Sequence, residues 1–389
     1  VKIMNYISLF SSAGVGCYGF QKENYDCIAT VEMLPRRMAI QRYNNKCKYD
    51  TGYICGDITK KDIHNQIFEQ IKLWNEPVDV VIATPPCQGM SVANLKKKAD
   101  KELIRNSLVV EAIKLIKSIQ PKFFIFENVP TFLKTICTDT DHLDKPIGQA
   151  IEENLAQEYI YEARTLNFVN YGNNSSRTRT LVIGVSRSYS TKIKPASLFP
   201  QETKAKTVRE VIGYLPALHT FEEISATDIY HSFRPYAPQM REWISCLNEG
   251  ESAFDNEDDL KKPHKVVDGK IVIHQQKSHD KYKRQFWDKP AFCVHTRMDT
   301  LSSQNTIHPQ DDRVFSIREL MLLMTIPEDF KWCEQSLEEL NALPVEEKKK
   351  YLRKEAPTIR KAIGEAVPTS IFQQIARNIK GQSSLLLNN

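Results

Sequence analysis

No run of about 18 consecutive apolar residues occurs in this 389-residue sequence, so nothing in it reads as a membrane span. The nine cysteines are scattered with no paired CxxC spacing. That excludes the usual zinc-ribbon pattern and a disulfide framework, and an odd set of isolated thiols suits a reduced, cytoplasmic setting without a metal site. No signal peptide is evident, because the first residues pass directly into a strand-like run. Internal repeats are absent, and so is a strict GxGxxG fingerprint. Neither charge sign dominates: 53 Lys and Arg oppose 48 Asp and Glu, a net charge of +5. An anionic partner is therefore permitted but not demanded.

What is present is ordinary globular composition, with 41% hydrophobic and 26% charged residues. The length allows a large core plus a second module. Over the first 186 residues, apolar strand-like runs alternate with helical patterns, which predicts βαβ units and a parallel sheet. Strands are expected at Tyr6 to Phe10, Cys27 to Val31, Val78 to Ala83, Phe123 to Phe126 and Leu181 to Val185. Between the third and fourth lies "NSLVVEAIKLIKSIQ", whose Val109, Ala112, Ile113, Ile116 and Ile119 share one helical face before Pro121 ends it.

Beyond Ser186 the texture changes to Pro, His, Lys and short β-like pieces. Glu249 to Asp259 reads as an acidic, solvated loop. From Lys261 to Arg284 eight Lys or Arg oppose two Asp, and "VVDGKIVIH" inside that stretch predicts a hairpin turning at Asp268-Gly269. A basic β-ribbon suits a DNA groove, although a charge run also suits a solvated face. The terminal "GQSSLLLNN" is expected to fray.

Several stretches place chemistry-bearing residues at strand ends. In "VVIATPPCQGMS" a buried-strand run meets Pro85 and Pro86, which stop it and leave Cys87 at its C-terminal end, where open α/β sheets bind ligands. A buried structural thiol fits this fragment equally well. "NYISLFSSAGVGCYGF" reads as strand, small-residue loop and helix, with Gly14 and Gly16 allowing close backbone approach to a ligand. Glu32 lies about 20 positions on, where an acidic group binds ribose hydroxyls, and Asp57 offers a third polar group. Each carboxylate alone fits a helix cap or a surface charge; together they suggest an adenosine-bearing cofactor. "FFIFENVP" drives four apolar residues into Glu127, which predicts a carboxyl of raised pKa at the edge of a dry pocket, with a strand-end salt bridge as the structural alternative. Arg177 and Arg179 are two apart before a strand, so period-2 spacing aims both to one face.

In order, "SLFSSAGVG", "PPCQGMS", "FENVP", "RTRTLVIGV", "RVFSIRELMLLMTIPEDF" and "AIGEAVPTSI" resemble the motif series of the cytosine-5 DNA methyltransferase family. The likeness covers nearly the whole chain except about 187 to 285. It implies a class I methyltransferase (Rossmann-like) fold with a doubly wound α/β sheet over 1–186, completed by 358–389, and a smaller target recognition domain over 187–357. It implies S-adenosylmethionine as cofactor and double-stranded DNA as substrate. In this reading Cys87 is the thiolate that adds to carbon 6 of cytosine, making carbon 5 nucleophilic. Glu127 contacts ring nitrogen 3 and the amino group, Arg179 holds the carbonyl oxygen, and Arg177 supports the site. The cytosine must leave the duplex stack to meet these groups. Phe10, Gly14, Gly16, Glu32, Asp57, Ile58, Pro85, Asn106 and Leu108 match positions around the cofactor. The segment after Cys87 is the implied lid, with Ser91, Lys96 and Lys97 toward DNA; Lys277, Lys281, Lys283 and Arg297 are the expected DNA-facing groups of the small domain.

The sequence departs from the family pattern at Ser12 and Val15 (usually Gly), at Ser175 (usually Gln) and at Glu365 (usually Asn). None of these removes a group that performs chemistry. The expected protein is a monomeric modification enzyme of a restriction system, with any cognate endonuclease acting separately. The rival readings are tRNA methylation by the same family and a catalytically silent DNA-binding regulator.

Overall fold

A computed structural model of the chain describes residues 3–86, 99–276 and 278–385. Cys87, Ser91, Lys96, Lys97 and Lys277 lie outside the described residues, as do all but the last turns of the expected lid. By packing, the chain forms two units. The first comprises Val1–Tyr171, Thr178–Glu202 and Val367–Asn389; the second comprises Gly172–Arg177 and Thr203–Ala366.

The first unit opens with β1 (Asn5–Leu9), α1 (Tyr18–Lys22), β2 (Asp26–Glu32), α2 (Pro35–Tyr43), β3 (Tyr53–Cys55), α3 (Lys61–Trp74) and β4 (Val80–Ala83). There follow α4 (Ala99–Asn106), α5 (Leu108–Ile119), β5 (Phe123–Asn128), a small hairpin of β6 (Ile136–Thr138) and β7 (Asp144–Pro146), α6 (Ile147–Leu155), β8 (Tyr159–Asn167) and β9 (Thr178–Ser186). The main sheet has seven strands in the order β3-β2-β1-β4-β5-β9-β8. Strands β3 to β5 are mutually parallel, while β9 runs antiparallel to both β5 and β8. This is the doubly wound class I arrangement that the resemblance implies. Strand order reverses between β1 and β4, which places a crevice at their C-terminal ends.

Period-2 alternation explains why the sheet is covered on both faces. Ile7, Val81, Ala83, Phe124 and Phe126 pack into one cluster with α5, through Val109, Ala112, Ile113 and Ile116. Tyr6, Val80, Ile82, Phe123 and Ile125 pack into the other. The second cluster is closed by the last helix of the chain, through Ile371, Phe372, Ile375 and Ile379.

After β9 come α7 (Arg187–Ser190), α8 (Val208–Ile212), α9 (Pro238–Ile244), β10 (His264–Val267), β11 (Lys270–Ile273), α10 (Ile317–Leu323), α11 (Leu337–Ala342), α12 (Val345–Glu365) and α13 (Thr369–Leu385). The expected hairpin is there: Val267 pairs with Lys270 across a two-residue turn. Asp268 and Gly269 both have positive φ, 50° and 74°, as a primed hairpin turn requires. Of the terminal stretch expected to fray, Gly381 to Leu385 continue α13, and 386–389 lie outside the described residues. The expected returning segment is two elements, because "AIGE" ends α12 in the second unit and the return to the sheet begins at Val367.

The second unit packs an apolar cluster around Trp243, Ile244, Leu301, Ile307 and Val314 and buries charge beside it. Arg313 donates to both oxygens of Glu319 at 2.8 Å, and to Asp311 at 2.9 Å. Glu319 also completes a capping box with Ser316. The motif "RVFSIREL" is thus a buried ion-pair network at the start of α10. The Arg313 guanidinium outweighs the effect of burial and keeps the Glu319 carboxyl far below the usual carboxylate range.

Candidate active site

The crevice at the strand-order reversal gathers most of the residues expected around a cofactor. Phe10 and Ser12 follow β1 in left-handed backbone, with φ of 58° and 46°, and Gly14 has φ 80°. The Thr84 hydroxyl after β4 donates to the Phe10 carbonyl at 3.0 Å, tying the two strand ends together. Glu32 ends β2. Its Oε2 accepts the Ser12 N–H at 2.7 Å and its Oε1 the Leu34 N–H at 3.0 Å. These backbone bonds fix the carboxylate with acceptor capacity to spare, since each oxygen has two lone pairs. Asp57 follows β3, whose Cys55 is in register with Glu32. The Thr59 N–H and hydroxyl, 3.0 and 2.9 Å from Asp57 Oδ1, hold that carboxyl below the usual carboxylate range. Ile58 is buried beside it.

Two acceptor-only carboxylates at adjacent strand ends, beside backbone in left-handed conformation, are chemically suited to a vicinal diol such as a ribose. Asn106, at the end of α4, is buried, and its Oδ1 has no hydrogen-bond partner among the described residues. That orphaned acceptor is one a ligand donor would satisfy. Leu108 opens α5 and packs half-buried on the core.

Gly16 serves packing. A side chain there would meet Val367 Cβ at 3.0 Å and Phe372 Cδ2 at 3.1 Å, so glycine lets the loop lie against the start of α13. The departure at Val15 has a similar account: it is 2% exposed, and its carbonyl accepts the Thr369 hydroxyl at 3.0 Å.

At the next strand ends, Glu127 and Arg179 are brought together. Glu127 is the penultimate residue of β5, 7% exposed. Arg179 is on β9, its Nε 3.4 Å from Glu127 Oε1. Sequence reasoning named both residues but not their pairing, which follows from the antiparallel register Glu127↔Leu181. Asn128 went unnamed. It is 3% exposed, and its Nδ2 donates to the Pro85 carbonyl at 2.8 Å while its Oδ1 accepts the Val129 N–H at 2.8 Å. The segment "FENVP" therefore clamps the end of β4 two residues before Cys87.

Arg177 departs from expectation. Strand β9 begins at Thr178, so Arg177 precedes the ladder and the period-2 argument covers Arg179 alone. Its guanidinium donates to the carbonyls of Val294, Gly364 and Glu365 at 3.2, 3.1 and 3.4 Å, all within the second unit. Glu365, the other departure near this motif, lies with its carboxylate 3.9 Å from Lys361.

The basic stretch also needs a correction. Arg284 is 3% exposed and bonds to Ile244, His308, Asp311 and Asp312, so it is internal to the second unit. Lys281 and Lys283 are half-buried, with Lys283 3.9 Å from Asp280. Arg297 is exposed. The ribbon β10–β11 presents Lys265, Lys270, Val266, Ile271 and Ile273 to the outside.

No helix among the described residues is long and apolar enough to cross a membrane. The carboxylates of Asp139, Asp141 and Glu153 converge on the Lys145 ammonium, 3.2, 2.7 and 2.5 Å away, which offsets part of their charge.

Comparison with known proteins gives a consistent result. Residues 4–381 match the family described as C-5 cytosine-specific DNA methylase. The chain is 29% identical over 384 residues to the type II methyltransferase M1.HgaI of Avibacterium volantium, covering 96% of this chain and 97% of that protein. It is 28% identical over 368 residues to M1.HphI of Haemophilus parahaemolyticus, covering 94% and 86%. Among solved structures, a protein encoded within an E. coli prophage superposes with TM-score 0.65 at 17% identity, over 99% of this chain and 100% of that one. Spodoptera frugiperda DNMT2 does so with TM-score 0.57 at 12% identity, over 97% and 99%.

Proposed function

This chain belongs to the C-5 cytosine-specific DNA methylase family, and from that premise we propose that it methylates a flipped-out cytosine through a covalent Cys87 adduct, as the modification enzyme of a restriction system. It is a DNA (cytosine-5)-methyltransferase that uses S-adenosylmethionine. The observation that carries the mechanism is the joining of Glu127, Arg179 and Asn128 at the end of β5, with Asn128 holding the strand end that leads into Cys87.

The Cys87 thiolate adds to carbon 6, and the electron pair of the 5,6 double bond moves toward carbon 5. Glu127 meets nitrogen 3 and the amino group, and Arg179 meets the carbonyl oxygen, so charge developing on the ring is stabilised as the sulfur bonds. S-adenosylmethionine would supply the methyl group to carbon 5 as a sulfonium electrophile, its broken carbon–sulfur bond leaving a neutral thioether. Loss of the carbon 5 proton then restores the double bond and expels Cys87 as thiolate. Glu32 would hold the ribose hydroxyls of the cofactor, with Phe10, Gly14, Asp57, Ile58, Pro85, Asn106 and Leu108 around it.

Arg177 acts through the fold, joining Val294 to the end of α12. The target recognition domain presents the β10–β11 ribbon to duplex DNA, where Lys265 and Lys270 meet phosphates alongside the expected Lys277, Lys281, Lys283 and Arg297. Ser91, Lys96 and Lys97 meet the same duplex from the other domain.

Bisulfite sequencing of DNA from cells expressing the chain tests activity and reads out the target site. Duplex DNA with 5-fluorocytosine at that site should form a denaturant-stable adduct with the wild type and none with Cys87→Ser. Methylation of normal DNA without an adduct would refute the covalent route, and methylation of tRNA in preference to DNA would refute the substrate.

A further inference from the structure

Behind the loop "SSAGVG" lies a buried ammonium group whose hydrogen-bond partners are all neutral. Lys46 is 6% exposed, and its Nζ donates to Ser8 Oγ at 3.1 Å, Thr30 Oγ1 at 2.8 Å and Gln41 Oε1 at 2.9 Å. Its N–H groups thus meet three oxygens, and the buried Cys17 thiol is a further neighbour within hydrogen-bond reach. The group takes no part in the reaction just described, and burial of a charge without a carboxylate partner calls for an explanation.

The chemistry of Gln41 supplies one. A glutamine amide can sit either way round, and the partners of its two ends decide which. An ammonium has no lone pair to offer, so Lys46 can bond only to the oxygen end. That leaves Gln41 Nε2 to donate to the Ser12 carbonyl, at 2.7 Å. Gln41 is 1% exposed, so water cannot take over either role.

Ser12 has φ 46°, a region that side chains other than glycine rarely adopt. Its peptide is gripped on both sides: the carbonyl by Gln41, and the N–H by Glu32 Oε2 at 2.7 Å. The buried charge therefore connects, through one amide and one strained residue, to the carboxylate assigned to the cofactor ribose.

We propose that Lys46 and Gln41 are positioning residues for cofactor binding, holding Ser12 in left-handed backbone and through it setting the orientation of Glu32. This rests on the reading of Glu32 as a cofactor ligand. The relay makes a serine serve where backbone conformation favours glycine.

The test is calorimetric titration of the full-length protein with S-adenosylmethionine, alongside melting temperature without cofactor and affinity for a DNA duplex. Lys46→Met should raise the cofactor Kd about tenfold or more, leaving DNA affinity within about twofold. Gln41→Glu guards against a misfolded Lys46→Met. It keeps the shape and can pair with Lys46, but turns an oxygen toward the Ser12 carbonyl; it should lose cofactor affinity without losing melting temperature. Adding Ser12→Gly to either variant should recover most of the affinity, because glycine adopts that φ without strain. A merely structural lysine would not be rescued this way. Cofactor Kd within twofold of wild type in Gln41→Glu, or no recovery with Ser12→Gly, overturns the relay. Glu32→Ala separates the two levels: if it leaves the Kd unchanged, the cofactor assignment and the relay fall together. If it weakens binding while Gln41→Glu does not, the relay alone falls.

Discussion

Replacing Asn128 tests whether the β5 end sets up the chemistry of the neighbouring loop. The side chain is 3% exposed and spends both polar ends on backbone: Nδ2 on the Pro85 carbonyl and Oδ1 on the Val129 N–H, each at 2.8 Å. Asn128→Ala removes both bonds and leaves two backbone groups at a buried site. The net worth of one such bond is ~1 kcal/mol, and an unsatisfied buried group costs ~1–3 kcal/mol. If the clamp matters equally to the fold and to the reacting geometry, the whole loss appears in melting temperature. If it chiefly presents Cys87, part of it appears in the transition state, where ~1.4 kcal/mol is a factor of ten in rate. We expect the single-turnover methylation rate to fall ~10–100-fold with cofactor Kd changed less than threefold. Asn128→Asp should be worse, since it turns a carboxylate oxygen toward the Pro85 carbonyl in a buried place. Rapid-quench methylation of a cognate duplex at saturating cofactor and DNA measures this. A single-turnover rate within twofold of wild type in Asn128→Ala would show that the clamp is only structural.

Glu127→Gln should slow methyl transfer by roughly 10² to 10⁴ while duplex affinity changes little; equal losses in both would make Glu127 a structural partner of Arg179. Stability should depend on pH through His308, whose imidazole burial pushes down to about 4 from an ordinary 6.5. A histidine held neutral in the fold contributes stability that is full above pH 6.5 and is lost as pH falls toward 4, so moving from pH 7.5 to 5 should cost ~2 kcal/mol. Denaturant midpoints of wild type and His308→Gln check this, and parallel pH profiles would exclude it. Neutralising Lys265 and Lys270 together should flatten the slope of log DNA affinity against log salt without altering S-adenosylmethionine Kd. An unchanged slope would mean the ribbon faces solvent only.

Legibility in the sequence followed how local each signal was. Strands β1, β2, β4 and β5 are apolar runs flanked by loop residues, and the burial that makes them readable also places them at the sheet centre. Strand β8, "YIYEARTLN", was missed because it lies at the sheet edge, where half its side chains face outward and Glu and Arg interrupt the apolar pattern. Strand β3 is three residues long, too short for any period to show. The hairpin was readable because Asp-Gly dictates its own turn, whereas the fate of Arg284, eleven residues beyond it, depends on carbonyls more than 20 positions away in either direction.

The site divides along the same line. Cys87, Glu127, Arg179, Glu32 and Asp57 could be named as candidates because they stand at strand ends and within the motif series that resembles the family's. What holds those groups could not be named. Asn128 sits inside a motif already singled out, yet its partner is 43 residues away, across a strand pair that only the fold creates. Lys46 and Gln41 look like surface residues of a polar helix and its exit turn, and only the packing of α2 over the β1 loop turns them inward. The residues proposed to react are constrained by chemistry, so they carry a local signature. The residues that position them are constrained by distances between elements, and a sequence shows such distances only after it has folded.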